Sequence, residues 1–170
     1  MTQAAPMKRH SSIVLCALLT LAPLDPLLAK VAPARLSDVI SQSEIILIGN
    51  VSSVISDSPG HRFAILSVEE LWRGAAGPTL RVSVDRTWPC DSSDAIVGER
   101  AIFFLAKQAD AEWHISHSGH GRMPIVDHDV SVSPMVILPD ETRVRDTGLR
   151  RVPFQVMAFF VRSKLEQLGH

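Results

Sequence analysis

The sequence predicts a mainly β domain with a short helix before it and a longer helix after it. Three observations carry that prediction. Short apolar runs recur from residue 45 to residue 138, glycine- and proline-rich turns separate them, and an apolar stripe at helical spacing marks the end of the chain. Several strands so closely spaced suggest a barrel or a sandwich rather than an alternating α/β sheet. No internal repeat is visible.

Ahead of that domain, Lys8, Arg9 and His10 form a basic cluster, and residues 11–24 follow as an uncharged apolar run closed by Asp25 and Pro26. This is the order of a cleavable secretory signal. The run of about 14 residues is shorter than the ~20 a membrane-spanning helix needs. Pro23 and Pro26 argue against a buried core helix. Ala29 and then Ala32-Pro33-Ala34 supply small residues for cleavage, expected after Ala34, so that residues 1–34 are the signal. Cys16 follows Leu15, which is not the small residue a lipid anchor wants. The expected location is the periplasm or the extracellular space, with no transmembrane segment in the mature form.

In the remainder, residues 36–42 read as a short helix with Ser37 as N-cap and Asp38 favourable in its first turn. Ile45-Ile46-Leu47-Ile48 is too short a run for a helix and reads as buried strand, continuing through Val51 to Ile55. Asp57-Ser58-Pro59-Gly60 is a turn. A second strand spans residues 62–72, with Phe63, Ile65, Leu66 and Val68. After the 74–78 turn, Leu80, Val82 and Val84 alternate with Arg81, Ser83 and Asp85, as in a strand with one wet face. Ala101-Ile102-Phe103-Phe104-Leu105 is a fourth, central strand, residues 113–116 a fifth, and residues 123–126 and 130–138 are short extended pieces. Residues 140–151 are charged and turn-like, a linker that follows a domain at 35–139. Pro153 then suits the first residue of a helix to about Leu168. Its stripe is Val156, Met157, Phe160, Val161, Leu165 and Leu168, which docks on the sheet. Phe159 beside Phe160 offers an alternative, a helix that binds a partner.

Composition narrows the function classes. The chain has 17 basic and 18 acidic residues, and three basic and one acidic leave with the signal. That near-balance gives no basic footprint for nucleic acid. About 136 residues remain, enough for one domain with a real core. Cys16 also leaves, so Cys90 is the only cysteine in the mature chain and no disulfide forms within it. Cys90 is buried, a bridge between two copies, or a free thiol. Asp91 and Asp94 raise its pKa and disfavour the thiolate.

Ser43-Glu44-Ile45-Ile46-Leu47-Ile48-Gly49-Asn50-Val51 resembles the first strand of exported netrin-like domains, five-stranded OB-fold barrels related to the tissue inhibitors of metalloproteinases. Val68-Glu69-Glu70-Leu71-Trp72-Arg73-Gly74, the loop cysteine Cys90, and Gly98-Glu99-Arg100-Ala101-Ile102-Phe103-Phe104-Leu105 fit the same order, so the similarity covers residues 36–117. The resemblance implies an OB-like five-stranded barrel in an exported protein, like many uncharacterised bacterial members. It carries no inhibitory function, because in the inhibitors a cysteine becomes the mature N-terminus and chelates the target's zinc. Cleavage here leaves Lys30 or Arg35 in that place. The family's usual partner of the loop cysteine is expected near His117 or Ser118, where this chain has no cysteine.

The sharpest local chemistry is a histidine-rich segment: His114, His117 and His120, then His128 between Asp127 and Asp129. Imidazole and carboxylate are the ligand types of zinc, copper and nickel. A strand puts His117 opposite His114 and His120, so the three converge only if Ser118-Gly119 turns the chain, which Gly119 and Gly121 permit. Ser118-Gly119-His120-Gly121 is no nucleophile elbow, and Glu69-Glu70 reads as a strand end at the barrel rim. Trp88, in the 87–94 loop, is the best placed of Trp72, Trp88 and Trp113 to stack on a glycan or peptide. The leading expectation is a non-enzymatic exported binding module for a protein, peptide or glycan. The alternatives are a periplasmic metal-binding protein using His114, His117, His120, Asp127, His128 and Asp129, and a thiol-linked dimer through Cys90.

Overall fold

The computed structural model describes residues 33–86, 91–139 and 150–169. The expected export signal up to residue 32, Trp88 and Cys90, and residues 140–149 of the expected linker lie outside the described residues. The described chain is mainly β. In order it runs β1 (Ala34–Arg35), α1 (Leu36–Gln42), β2 (Ile45–Ser58), β3 (His61–Arg73), β4 (Thr79–Ser83), β5 (Arg100–Lys107), β6 (Trp113–Ile115), β7 (Arg122–Val126), β8 (Asp129–Val132), β9 (Val136–Ile137), β10 (Arg150–Pro153) and α2 (Phe154–Gln167). Among these residues no helix is long and apolar enough to cross a membrane.

One large sheet carries the strand order β10-β8-β7-β5-β2-β3-β4-β6, and β6 also pairs with β5. The strands β2, β3, β4, β6 and β5 therefore return on themselves. The ring is uneven. β2 and β3 pair along most of their length, with register shifts at four places. β4 and β6 meet, in parallel, through the single residue pair Ser83 and His114. A separate two-stranded parallel pair joins β1 to β9.

The continuous apolar runs have a direct cause: β5 and the first half of β2, residues 45–51, are buried on both faces. Ile45, Leu47 and Val51 of β2 pack with Ala101, Phe103 and Leu105 of β5 in a cluster that takes in Ala64, Leu66 and Val82. Ile46 and Ile48 join Ile102 and Phe104 on the other side, against Leu36, Val39 and Ile40 of α1 and Met157, Val161 and Leu165 of α2. Period-2 alternation thus feeds two separate cores from each strand.

Several elements differ in detail from the expectation. Arg35, not Ser37, stands at the N-cap of α1 and no side chain caps it; Ser37 Oγ donates to Asp38 Oδ1 at 3.4 Å instead. Arg150 and Arg151, expected in a linker, belong to β10, which pairs antiparallel with β8 and places Val152 in the core. Pro153 is the N-cap of α2 rather than its first turn, its φ of −50° and ψ of 134° closing the strand before the helix begins. Val156 and Leu168 sit off the packed face, and Ala158 takes a buried place beside Met157, Val161 and Leu165. Phe159 is 73% exposed.

Candidate functional site

β6 ends at Ile115 and β7 begins at Arg122, so the six residues between them must reverse the chain. They do so through a left-handed stretch: φ is 51° at His117, 54° at Ser118 and 84° at Gly119. Residues other than glycine adopt that region rarely. Here backbone bonds hold it, from His120 N to His117 O (3.1 Å), Gly121 N to Ser116 O (3.0 Å) and Arg122 N to Gly119 O (3.1 Å). Residues 91–93 lie flat against this turn. Ser92 N donates to Ser118 O at 3.0 Å, and a Cβ on Gly119 would collide with the Ser92–Ser93 peptide.

That junction holds an unusual share of the buried polar groups. Asp91 is 5% exposed, and its Oδ1 accepts the Ser93 backbone N–H at 2.8 Å and the Ser93 hydroxyl. Arg122 reaches both carboxylate oxygens of Glu99 at 2.6 Å and the Ser92 carbonyl at 3.5 Å, which ties the 91–93 segment to β7. His120, 6% exposed, sets Nδ1 against Ser133 Oγ at 3.0 Å. The Nε2 atoms of His117 and His120 are both buried with no hydrogen-bond partner.

Burial pushes the His117 imidazole below its ordinary value near 6.5, against an opposing pull from the Asp38 carbonyl and carboxylate. Burial likewise lowers His120; Asp91 opposes the shift and His117 adds to it. Both rings are neutral in the folded chain at pH 7 and accept a proton more readily once unfolded. Unfolding therefore takes up protons between the lowered folded value and 6.5, and stability falls as pH drops through that window. Urea midpoints measured from pH 8 to pH 5 should decline, and the decline should shrink in a His117→Gln/His120→Gln variant.

A second group lies on the β5–β6 connection. Asp110 and Glu112 lie in the turn before β6, where Ala111 has a left-handed φ of 62°, and His114 lies on β6 itself. One ligand atom from each lies within 4.8 Å of the other two. His114 Nε2 is 2.9 Å from Asp110 Oδ2, and Asp110 Oδ1 accepts the Glu112 N–H at 2.9 Å. The Glu112 N–H above all, and then the His114 ring, hold the Asp110 carboxyl below its ordinary value near 3.8, against an opposing push from desolvation. Glu112 Oε2 is buried without a hydrogen-bond partner. A cavity of about 140 Å³ opens alongside, lined by His114, Ser116, His117, Gln42 and Gln108.

The six expected ligands thus fall in three places. Ser118-Gly119 does turn the chain, yet His114 joins Asp110 and Glu112, while His117 and His120 belong to the turn itself, His117 toward Asp38 and His120 toward Asp91. Asp127, His128 and Asp129 form the β7–β8 hairpin tip, the first two exposed, with Phe154 N donating to His128 O at 2.8 Å. The length of β7, at about 3.3 Å per residue, carries that tip roughly 15 Å from the turn. Glu69 and Glu70 are both exposed, Glu69 held by Asn50 and Arg100, and Glu70 by Arg162. Trp72 and Trp113 pack against the two cores.

The sequence reading missed Asp110, Glu112 and Asp91. The first two had at most a weak signal, two carboxylates two and four residues before His114; a turn through the left-handed Ala111, not strand alternation, brings them to it. Asp91 had none, because its value comes from a contact with residues 117–120 that no local pattern encodes. No protein-family model matches this chain, and no curated protein matches it.

Proposed function

We propose that this chain is an exported, non-enzymatic binding module on an OB-like five-stranded ring, and that it holds a divalent transition metal between Asp110, Glu112 and His114. The basic-apolar-small order of residues 8–34 supports export. The ring order β2-β3-β4-β6-β5, with antiparallel neighbours and one parallel contact between β4 and β6, supports the OB-like reading.

The observation that carries the metal is the three-donor group within 4.8 Å. Donors on tetrahedral zinc, at bond lengths of about 2.0–2.2 Å, stand roughly 3.4 Å apart. Rotation of the exposed Asp110 closes the difference. Two carboxylates and one imidazole suit zinc, copper or nickel over calcium or magnesium, and an ion would give the buried Glu112 Oε2 the partner it lacks. Calorimetric titration of the purified protein with zinc and with copper is expected to show binding at micromolar affinity or tighter. An Asp110→Asn/His114→Ala variant should lose at least tenfold at that site. Weaker binding by the wild type, or equal binding by the variant, rejects the reading.

A second reading, contact with a protein or peptide, is favoured by Phe159. It stands on the outer face of α2 beside a cavity of about 370 Å³ lined by Phe154, Gln155, Ala158 and Arg162. Such a ring is the kind of side chain that anchors interfaces.

A further inference from the structure

We propose that the secretory leader is removed at the Ala29–Lys30 bond and not after Ala34, so that the mature chain begins at Lys30. The inference rests on the export reading and assigns its processing site. The preference for small residues before the cut leaves two bonds open, one preceded by Ala29 and one by Ala32-Pro33-Ala34. The fold separates them, because it uses Ala34.

Ala34 and Arg35 are the whole of β1. They pair in parallel with Val136 and Ile137 of β9, and the Ala34 N–H donates to Met135 O at 2.9 Å. Ala34 also packs against the core cluster that holds Leu36, Val136 and Leu138, and Val136 has no exposed surface. Among the described residues β9 pairs with no strand other than β1. A cut after Ala34 takes away that amide and that methyl group together. Met135 O loses its donor, the core loses a contact, and Arg35 alone is left to hold β9.

Charge argues in the same direction. Arg35 is the N-cap of α1, and no side chain caps that end. Cutting after Ala34 turns the Arg35 amide into an ammonium at the end of the helix where the backbone dipoles are already positive. Two cations on Arg35 would then face Asp38, the acidic residue of the first turn. Leu36, the very next residue, is wholly buried, so the new charge could not withdraw far from the core. A cut after Ala29 avoids all of this. Lys30 to Pro33 stand between the ammonium and β1, and Ala34 keeps its peptide N–H. Ala29 also lies nearer the end of the apolar run at Leu24. That run occupies the bilayer while the peptidase works at its surface, so the nearer bond is the better placed.

The full chain, expressed with its own leader and recovered from the exported fraction, is read by intact mass and by sequencing from its amino end. Its expected first residues are Lys30-Val31-Ala32-Pro33. Ala29→Leu, which sets a bulky side chain directly before the bond, should abolish the product that starts at Lys30. Ala32→Leu, which spoils the Ala32-Pro33-Ala34 triplet and lies outside β1, should leave that start unchanged. An exported product that starts at Arg35, or a start that moves when Ala32 is replaced, overturns the proposal and leaves export standing. An uncut chain retained in the cytoplasm rejects export itself, and this inference with it.

Discussion

Replacing Gly119 with alanine is expected to destabilise the fold by roughly 2–5 kcal/mol, the sum of a strained backbone and a forced displacement. Two separate effects act at this position. Its φ of 84° lies in the left-handed region, and its missing Cβ is where the Ser92–Ser93 peptide packs. Gly60 and Gly98 provide the controls. Their φ values of 81° and 85° are nearly the same, but a Cβ on either meets nothing within 4 Å. Alanine at those positions should cost about 1–2 kcal/mol, the backbone share alone. Urea denaturation of the three variants separates the two contributions. Equal losses at Gly119 and Gly60 would show that residues 91–93 do not rest on the turn as described.

Phe104→Ala should cost about 3–5 kcal/mol, the range for emptying an aromatic site in a closed core. Phe104 has no exposed surface and stands on β5 between β2 and β7, facing the cluster that includes Ile46, Ile48 and Met123. Its neighbour Phe103 is equally buried on the opposite face, so Phe103→Ala should lose a similar amount through different contacts. Domains of this size hold about 5–15 kcal/mol in total, so either variant is left near its threshold at physiological temperature. Thermal and urea unfolding would check both. A loss below about 1.5 kcal/mol for either would mean that its side of the sheet is less tightly packed than its burial indicates.

The elements most legible in the sequence were those whose burial is complete. Ile45-Ile46-Leu47-Ile48 and Ala101-Ile102-Phe103-Phe104-Leu105 announce themselves because a strand covered on both sides has no polar residue to spare, and the structure places both at the sheet centre. β10 was hidden by composition: Arg150 and Arg151 look like linker, and only Val152 turns inward. Pro153 pointed to the helix yet ended a strand. α2 was legible as a helix but not in its rotation, since Val156 and Leu168 continue the apolar pattern past what the sheet covers. Of the candidate ligands, the turn at Ser118-Gly119 was readable from its glycines. Which histidine it joined to which carboxylate was not, because that depends on residues 91–93 and 110–112 arriving from elsewhere.

The single pair between Ser83 and His114 is where the uneven ring comes together. A closure that narrow is the place where local opening costs least. His114 is also a member of the proposed ligand group, so occupancy and closure would be coupled through one residue, its backbone in the strand pair and its ring on the ion. An ion gripping His114 would act as a clasp on the ring. By the same reciprocity, breathing at the β4–β6 edge would set how readily the ion leaves.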